Sequence, residues 1–254
     1  MKGGGLLLPT ISLWRREMVR FFRQRSRVVG SLGTPLLFWL LLGAGLGPSF
    51  RPPSADIGAY VYFFPGALAL IILFTSIFAN ISVIEDRAEG FLQGVLAAPV
   101  PRLAIVLGKV LGGATIAAIQ ALALLALAAV GGLDVSIASP AEVAAAVVVL
   151  SIALSALGFA FAWRLDSVQG FHSVMNLLLM PMWVLSGALF PPSGLPVVLR
   201  VLVAVNPVTY GLAWIHHGLG IAAPGLPAPG LSAAISAAFA AVTLGASVAV
   251  VRGR

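Results

Sequence analysis

The chain has 254 residues, 60% of them hydrophobic and 9% charged, with a mean hydropathy of +1.06. Soluble domains use roughly 45–50% apolar and about 25% charged residues, so this is an integral membrane protein; at about 20 apolar residues per helical crossing it holds six or so spans and no soluble catalytic domain. The formal charge of +7 clusters at the ends of apolar runs, which points to membrane topology and not to nucleic acid, and the lack of cysteine excludes disulfides, thiolate chemistry and cysteine-ligated metals.

Residues 1–27 are basic and amphipathic. At 100° per residue Ile11, Trp14, Met18, Phe21 and Phe22 share one helical face, and Arg16, Arg20, Arg23 and Arg27 share the opposite one. This pattern predicts an interfacial helix, with aromatics at the acyl boundary and arginines toward anionic headgroups or a protein partner. The basic stretch precedes an apolar run, as in a signal peptide, but that run is too long for a signal core and further spans follow, so it is expected to be retained.

Apolar runs at 28–47, 60–84, 103–130, 141–163, 171–190 and 231–251 are each long enough to cross as helices. With six crossings, thirteen basic residues fall on the side of the termini, among them Lys2, Arg15, Arg87, Arg102, Lys109, Arg164, Arg252 and Arg254, and only Arg51 and Arg200 fall on the other. The positive-inside rule then puts both termini in the cytoplasm of a plasma (inner) membrane protein. Lys109, Arg164 and Glu142 lie near span ends, where they are expected to snorkel. Gly43-x-x-x-Gly47 and Gly108-x-x-x-Gly112 have helix-packing spacing, expected to serve contacts within one subunit.

Between the second and third spans the loop 85–101 carries Glu85, Asp86 and Glu89, placed at a helix start where they suit the dipole, and Pro99 and Pro101, which end the helix. Phe91, Leu92, Val95 and Leu96 form a compact apolar patch on it. Such a patch on an aqueous loop needs a partner or the lipid interface to cover it. In the short loop 164–170, Asp166 is expected to be a helix cap.

The segment 191–230 is apolar but broken by prolines, Asn206-Pro207 above all. A seventh span here would carry Arg252 and Arg254 to the opposite side, so two short helices dipping into the outer leaflet are favoured. His216 and His217 are expected at that interface.

Three of these stretches resemble one family. Glu85-Asp86-Arg87-Ala88-Glu89-Gly90-Phe91-Leu92, continuing through Pro99-Val100-Pro101-Arg102 to Gly108-Lys109, looks like the signature of permease subunits of type-2 ABC exporters, a family that exports drugs, lipids and polysaccharides. Ser186-Gly187-Ala188-Leu189-Phe190-Pro191 with Leu195-Pro196, and Asn206-Pro207-Val208-Thr209-Tyr210, match its later elements in order and spacing. The resemblance implies an all-α integral membrane protein with six spans, an N-terminal connecting helix over 10–27 bearing Trp14, Arg16, Arg20, Phe21 and Arg23, and a cytoplasmic coupling helix over 85–97 that docks on an ATPase. That helix would engage through Glu85, Asp86, Arg87, Glu89, Gly90, Phe91, Leu92, Val95 and Leu96. Short re-entrant helices before the last span would place Ser186, Gly187, Phe190, Pro191, Asn206, Pro207 and Tyr210 in a gating region. The whole chain would be one transmembrane domain, divided at 1–27, 28–84, 85–101, 102–163, 164–190, 191–230 and 231–254. It would pair with a second permease, identical or not, and with two copies of an ATP-binding subunit.

The chain carries no ATPase loop of its own, because Gly108-Lys109 lacks the upstream glycine and is followed by Val110 where Ser or Thr is required. ATP and Mg are therefore expected on the partner, with no cofactor on this chain. The substrate is expected to be lipophilic or amphipathic. The alternative, an ion-coupled carrier or channel, needs ionisable groups at membrane depth, where this chain offers only the neutral Asn80, Gln120 and Asn176. No nucleophile elbow or metalloprotease motif accompanies His172, His216 or His217.

Overall fold

The computed structural model of the protein describes residues 5–46, 58–133, 137–193, 195–222 and 224–253. Lys2, Gly47, Arg51 and Arg254 lie outside these residues.

Helix α1, Leu7–Arg23, breaks at Gln24 into α2, Arg25–Leu46. The sequence placed the elbow at residue 27. Helix α3, Ala59–Phe78, runs through a short turn into α4, Ile81–Ala88, and the pair makes one crossing element. A short α5, Phe91–Ala97, leads to α6, Arg102–Val130, and α7, Pro140–Arg164. Helix α8, Val168–Trp183, widens into a π-helical turn, Val184–Ala188. Two short helices, α9, Val197–Val205, and α10, Pro207–Gly218, meet at 80° across Asn206 before α11, Pro229–Arg252.

Among the described residues six helices have the length and apolarity to cross a membrane, and their bounds lie within a few residues of those expected. The bent α9–α10 pair could count as a seventh only as a broken span. The protein is thus an all-helical, multi-pass membrane protein.

Span two is the hub. Its apolar window is 83% buried, against 17% for span one and 22% for span six. Where helices cross closely, side chains are reduced. A Cβ on Gly158 of α7 would lie 2.9 Å from the Ile77 backbone, and one on Gly113 of α6 would lie 2.5 Å from Ser155 Oγ. Asn80, at the α3–α4 turn, donates to the carbonyls of Ser76 at 2.9 Å and Ser155 at 3.0 Å, so the bend's backbone acceptor is satisfied inside the bundle. Helix α11 faces α7 with a small-residue stripe, Ser232, Ser236, Ala240, Thr243 and Ser247, and Ser247 donates to the Ala156 carbonyl at 2.7 Å. Small residues let backbones approach where lipid supplies no hydrophobic drive between helices.

Of the two glycine pairs, Gly43, Gly108 and Gly112 serve contacts within the subunit, as expected, and Gly47 lies outside the described residues. Gly43 faces the Tyr60 ring, and Gly108 and Gly112 face α1, where added Cβ atoms would lie 2.6 Å from Leu13 Cβ and 2.8 Å from Glu17 Cβ.

Candidate functional site: the charged end of the bundle

Span two runs for 30 residues, about 45 Å at ~1.5 Å per residue against roughly 30 Å of hydrocarbon, so α4 projects beyond the apolar layer. Glu85 and Asp86 therefore stand near the C-terminal end of a helix, not at the start of one as the sequence suggested. Carboxylates there oppose the dipole. Cations from two other helices offset that.

Arg16 and Arg20 of α1 reach across. Arg16 donates through both terminal nitrogens to Asp86 at 2.7 Å, and Arg20 donates to Asp86 at 2.9 Å and Glu85 at 2.7 Å. The hydrogen bonds to Asp86 raise the Arg16 pKa above its ordinary value, outweighing burial. From the other side Lys109 of α6 donates to Glu17 at 2.6 Å, to Ser82 at 3.2 Å and to Asp86. Asp86 is fully buried, and Lys109 and Glu17 are 3% and 6% exposed. Lys109 thus does not snorkel. It closes a network of three cations and three carboxylates that joins α1, α4 and α6.

This network changes the role of α1. Its packed stripe is Thr10, Leu13, Glu17 and Phe21, between the two faces read from the sequence. Trp14 donates to Thr115 at 3.1 Å, Ile11, Phe22 and Arg23 stay exposed, and the arginines at 16 and 20 bind acids of the same chain instead of headgroups.

On its opposite flank α4 is tied to α7. Arg87 donates to the carbonyls of Trp163 at 2.5 Å, Leu165 at 3.3 Å and Ala162 at 3.4 Å, and to Asp166 at 2.8 Å. It caps the C-terminal end of α7, where a cation suits the dipole. Asp166 is therefore this arginine's acceptor. The cap of α8 is Ser167, whose hydroxyl accepts from the Gly170 N–H at 2.9 Å.

The expected single helix over 85–97 is two helices. Gly90 takes φ +78°, a left-handed conformation that ends α4 and re-aims the chain into α5. Glu89 stays at the surface, 3.9 Å from Arg20. The apolar patch lies wholly on α5 and divides by burial. Leu92 is buried at 3% exposure in a niche it shares with Arg87, Arg102, Trp163 and Val251, whereas Phe91 and Leu96 remain 36% and 43% exposed and Val95 lies between. The Arg16 guanidinium stacks 3.7 Å from the Phe91 ring centre. Arg102 donates to the Val251 carbonyl at 2.7 Å, which brings the end of α11 to this same face.

At the far end of the bundle the second group of expected residues is brought together. Ser186 and Gly187 form the π turn, where Gly187 adopts φ +92° and Ser186 donates to the Trp183 carbonyl at 2.6 Å. Trp183 in turn donates to the Gly66 carbonyl of span two at 2.9 Å. Phe190 and Pro191 follow in irregular backbone. Asn206 donates to the Met182 carbonyl at 2.6 Å and caps α10 by accepting from the Val208 N–H at 3.1 Å, with Pro207 at the first helical position. Tyr210 donates to the Ala204 carbonyl at 2.7 Å, closing the α9–α10 corner. His216 is buried within the protein at 4% exposure, with Nδ1 3.4 Å from the Ile221 carbonyl oxygen, and His217 Nε2 lies 2.9 Å from the Pro227 carbonyl oxygen. Among the described residues no three metal-ligating side chains are grouped to hold an ion.

From the charged end, at Phe21 and Glu85, an open cleft of about 630 Å³ runs between α2, α3 and α8. Its wall mixes the aromatics Phe74 and Phe78 with the hydroxyls of Ser31, Thr34 and Thr75 and the imidazole of His172, which lies 4.7 Å from the Phe78 ring. Behind it Thr75 donates to Gln120 at 2.5 Å and Gln120 to Ser31 at 2.6 Å, so these three neutral groups are linked in one chain.

A bundle of six spans with a charged, helix-bearing loop at one end and a broken helix pair at the other is the architecture of a transport permease. A family model described as ABC-2 type transporter matches residues 10–219, and the chain belongs to that family. It is similar to Nodulation protein J of Rhizobium meliloti (strain 1021), 28% identical over 84% of this chain and 86% of the relative. It is also similar to Nodulation protein J of Rhizobium leguminosarum bv. viciae, 25% identical over 85% of this chain and 83% of the relative.

Glu17 and Lys109 are the site residues that sequence reasoning missed. The one available signal was an unmatched Lys in an otherwise apolar span, which requires a buried partner.

Proposed function

We propose that the protein is the permease subunit of an ATP-driven exporter, with its termini and the 81–97 segment in the cytoplasm and a separate ATPase docked on α5. ATP binding by two ATPase copies moves α5, and the motion passes into span two through α4, into α1 and span three through the ion network, and into span four through Arg87. Two permeases face one another, and the cleft between α2, α3 and α8 receives an amphipathic substrate, its aromatic wall taking the apolar part and its hydroxyls the polar part. The far-end corner at Asn206 and the π turn at Gly187 form the outer gate. The change is a displacement between discrete packings, driven from outside the chain.

The observation that carries this proposal is the division of labour along 81–97. Its root is tied into three helices by charge-assisted bonds, while Phe91 and Leu96 are left at the tip without an apolar cover of comparable size. Phe91→Asp tests it by placing a charge in a contact that docking would desolvate, a loss of several kcal/mol. The variant is expected to insert normally and to lose the copurifying ATPase, whereas Arg200→Ala at the far end keeps it. Full association by Phe91→Asp would place α5 on lipid and reopen the carrier or channel alternative.

A further inference from the structure

Lys109 joins Glu17 of α1 to Asp86 of α4 from the buried side of the network, whereas Arg16, 3.6 Å from Glu17 and 2.7 Å from Asp86, does so from the solvent side. We infer that Lys109 is a positioning residue, a latch that makes α1 and α4 one body so that a displacement of α5 reaches α1 and span three together. The inference rests on the ATP-driven cycle proposed above.

Three observations support it. The arginines that also bridge α1 to α4 act from a side 20–30% exposed to solvent, where ion pairs are screened, whereas Lys109, Glu17 and Asp86 are withdrawn from it. Lys109 also carries two carboxylates on one ammonium, so its loss leaves the buried Glu17 with only Arg16, at 3.6 Å, in place of a direct partner. Finally, α1 seats so closely on Gly108 and Gly112 that added Cβ atoms would lie 2.6 Å from Leu13 and 2.8 Å from Glu17, which holds the Glu17 carboxylate against α6 within reach of Lys109.

The chain lacks cysteine, so spin labels can be placed at will. Labels at Ser12→Cys on α1 and Ala88→Cys on α4, both exposed, report the distance between the two helices by pulsed electron resonance. They are read in the full-length permease alone and in the complex copurified through a tag on it, with and without ATP plus vanadate. Glu17→Gln/Lys109→Met is the informative variant, because it removes both members of the pair and orphans neither charge; Lys109→Met alone is the variant that can fail to fold. In the wild type and in Lys109→Arg one narrow distance is expected, unchanged by nucleotide. In the double variant the distribution is expected to become at least twice as wide without nucleotide, at unchanged yield and ATPase association. A double variant as narrow as the wild type would overturn the latch and assign α1 to its arginines. So would a wild-type distance that shifts with ATP plus vanadate, since the helices would then not be one body. If no ATPase copurifies with the wild type, the ATP-driven cycle fails, and the nucleotide-free widths still decide the latch.

Discussion

Gly187 occupies φ +92° in the π turn that ends span five, with the nearest atom to an added Cβ, a Leu226 methyl, at 3.3 Å. A methyl group would fit with a shift of a few tenths of an ångström in the Leu226 side chain, but its backbone conformation would remain strained. Gly187→Ala should therefore cost about 1–2 kcal/mol from the left-handed geometry alone, seen as a lowered thermal midpoint in detergent; an unchanged midpoint would mean that the turn relaxes to an ordinary helix. Lys109→Met should cost about 3 kcal/mol, the low end for breaking a buried pair, because Arg16 still lies 3.6 Å from the buried Glu17, and Lys109→Arg should recover much of that, both read by the same thermal assay. Gly187 was legible in the sequence as part of a motif, although nothing there specified its π turn. Lys109 was misread because its partners lie 92 and 23 residues away on other helices, and a helical wheel shows only neighbours on the same helix. Glu17 was overlooked for the same reason, as one acid among arginines.

At the scale of elements, α1 and α10 are the pieces whose seats can be tested. A side chain at Gly112 would meet Glu17 Cβ at 2.8 Å, so Gly112→Val should lift α1 from α6 and speed tryptic cleavage at the Arg23–Arg25 elbow several-fold in inside-out vesicles; unchanged cleavage would show that the ion network alone seats α1. Asn206→Ala removes a helix cap and the donor to Met182, for a loss of about 1–2 kcal/mol, and should loosen the α9–α10 corner, measured as faster amide exchange across 203–210. The six spans were legible because each is a long apolar run, and the corner because proline at Pro207 interrupts one. The split of 85–97 was not read, although the charged residues end at Glu89 and the apolar patch begins only at Phe91, after Gly90. Gly90 after Arg87 is also a helix-end signal of cation then glycine.

For the molecule as a whole, the proposed orientation rests on charge, thirteen basic residues to two in the sequence, together with the gathering of α1, α4, α5 and the end of α11 at one face. Cysteines at Ser12 and Ala88 should be shielded from an impermeant thiol reagent in intact cells and one at Ser193 should react; the reverse pattern would invert the protein in the membrane. The central claim, that α5 is where an ATPase drives this permease, is tested most directly by a photo-crosslinking amino acid placed at Phe91 or Leu96 in living cells. The account predicts a covalent adduct with an ATP-binding cassette subunit from both positions and none from Ser193 or Arg200. Adducts with lipid alone at Phe91 and Leu96, or an ATPase adduct from Ser193 or Arg200 in their place, would contradict it.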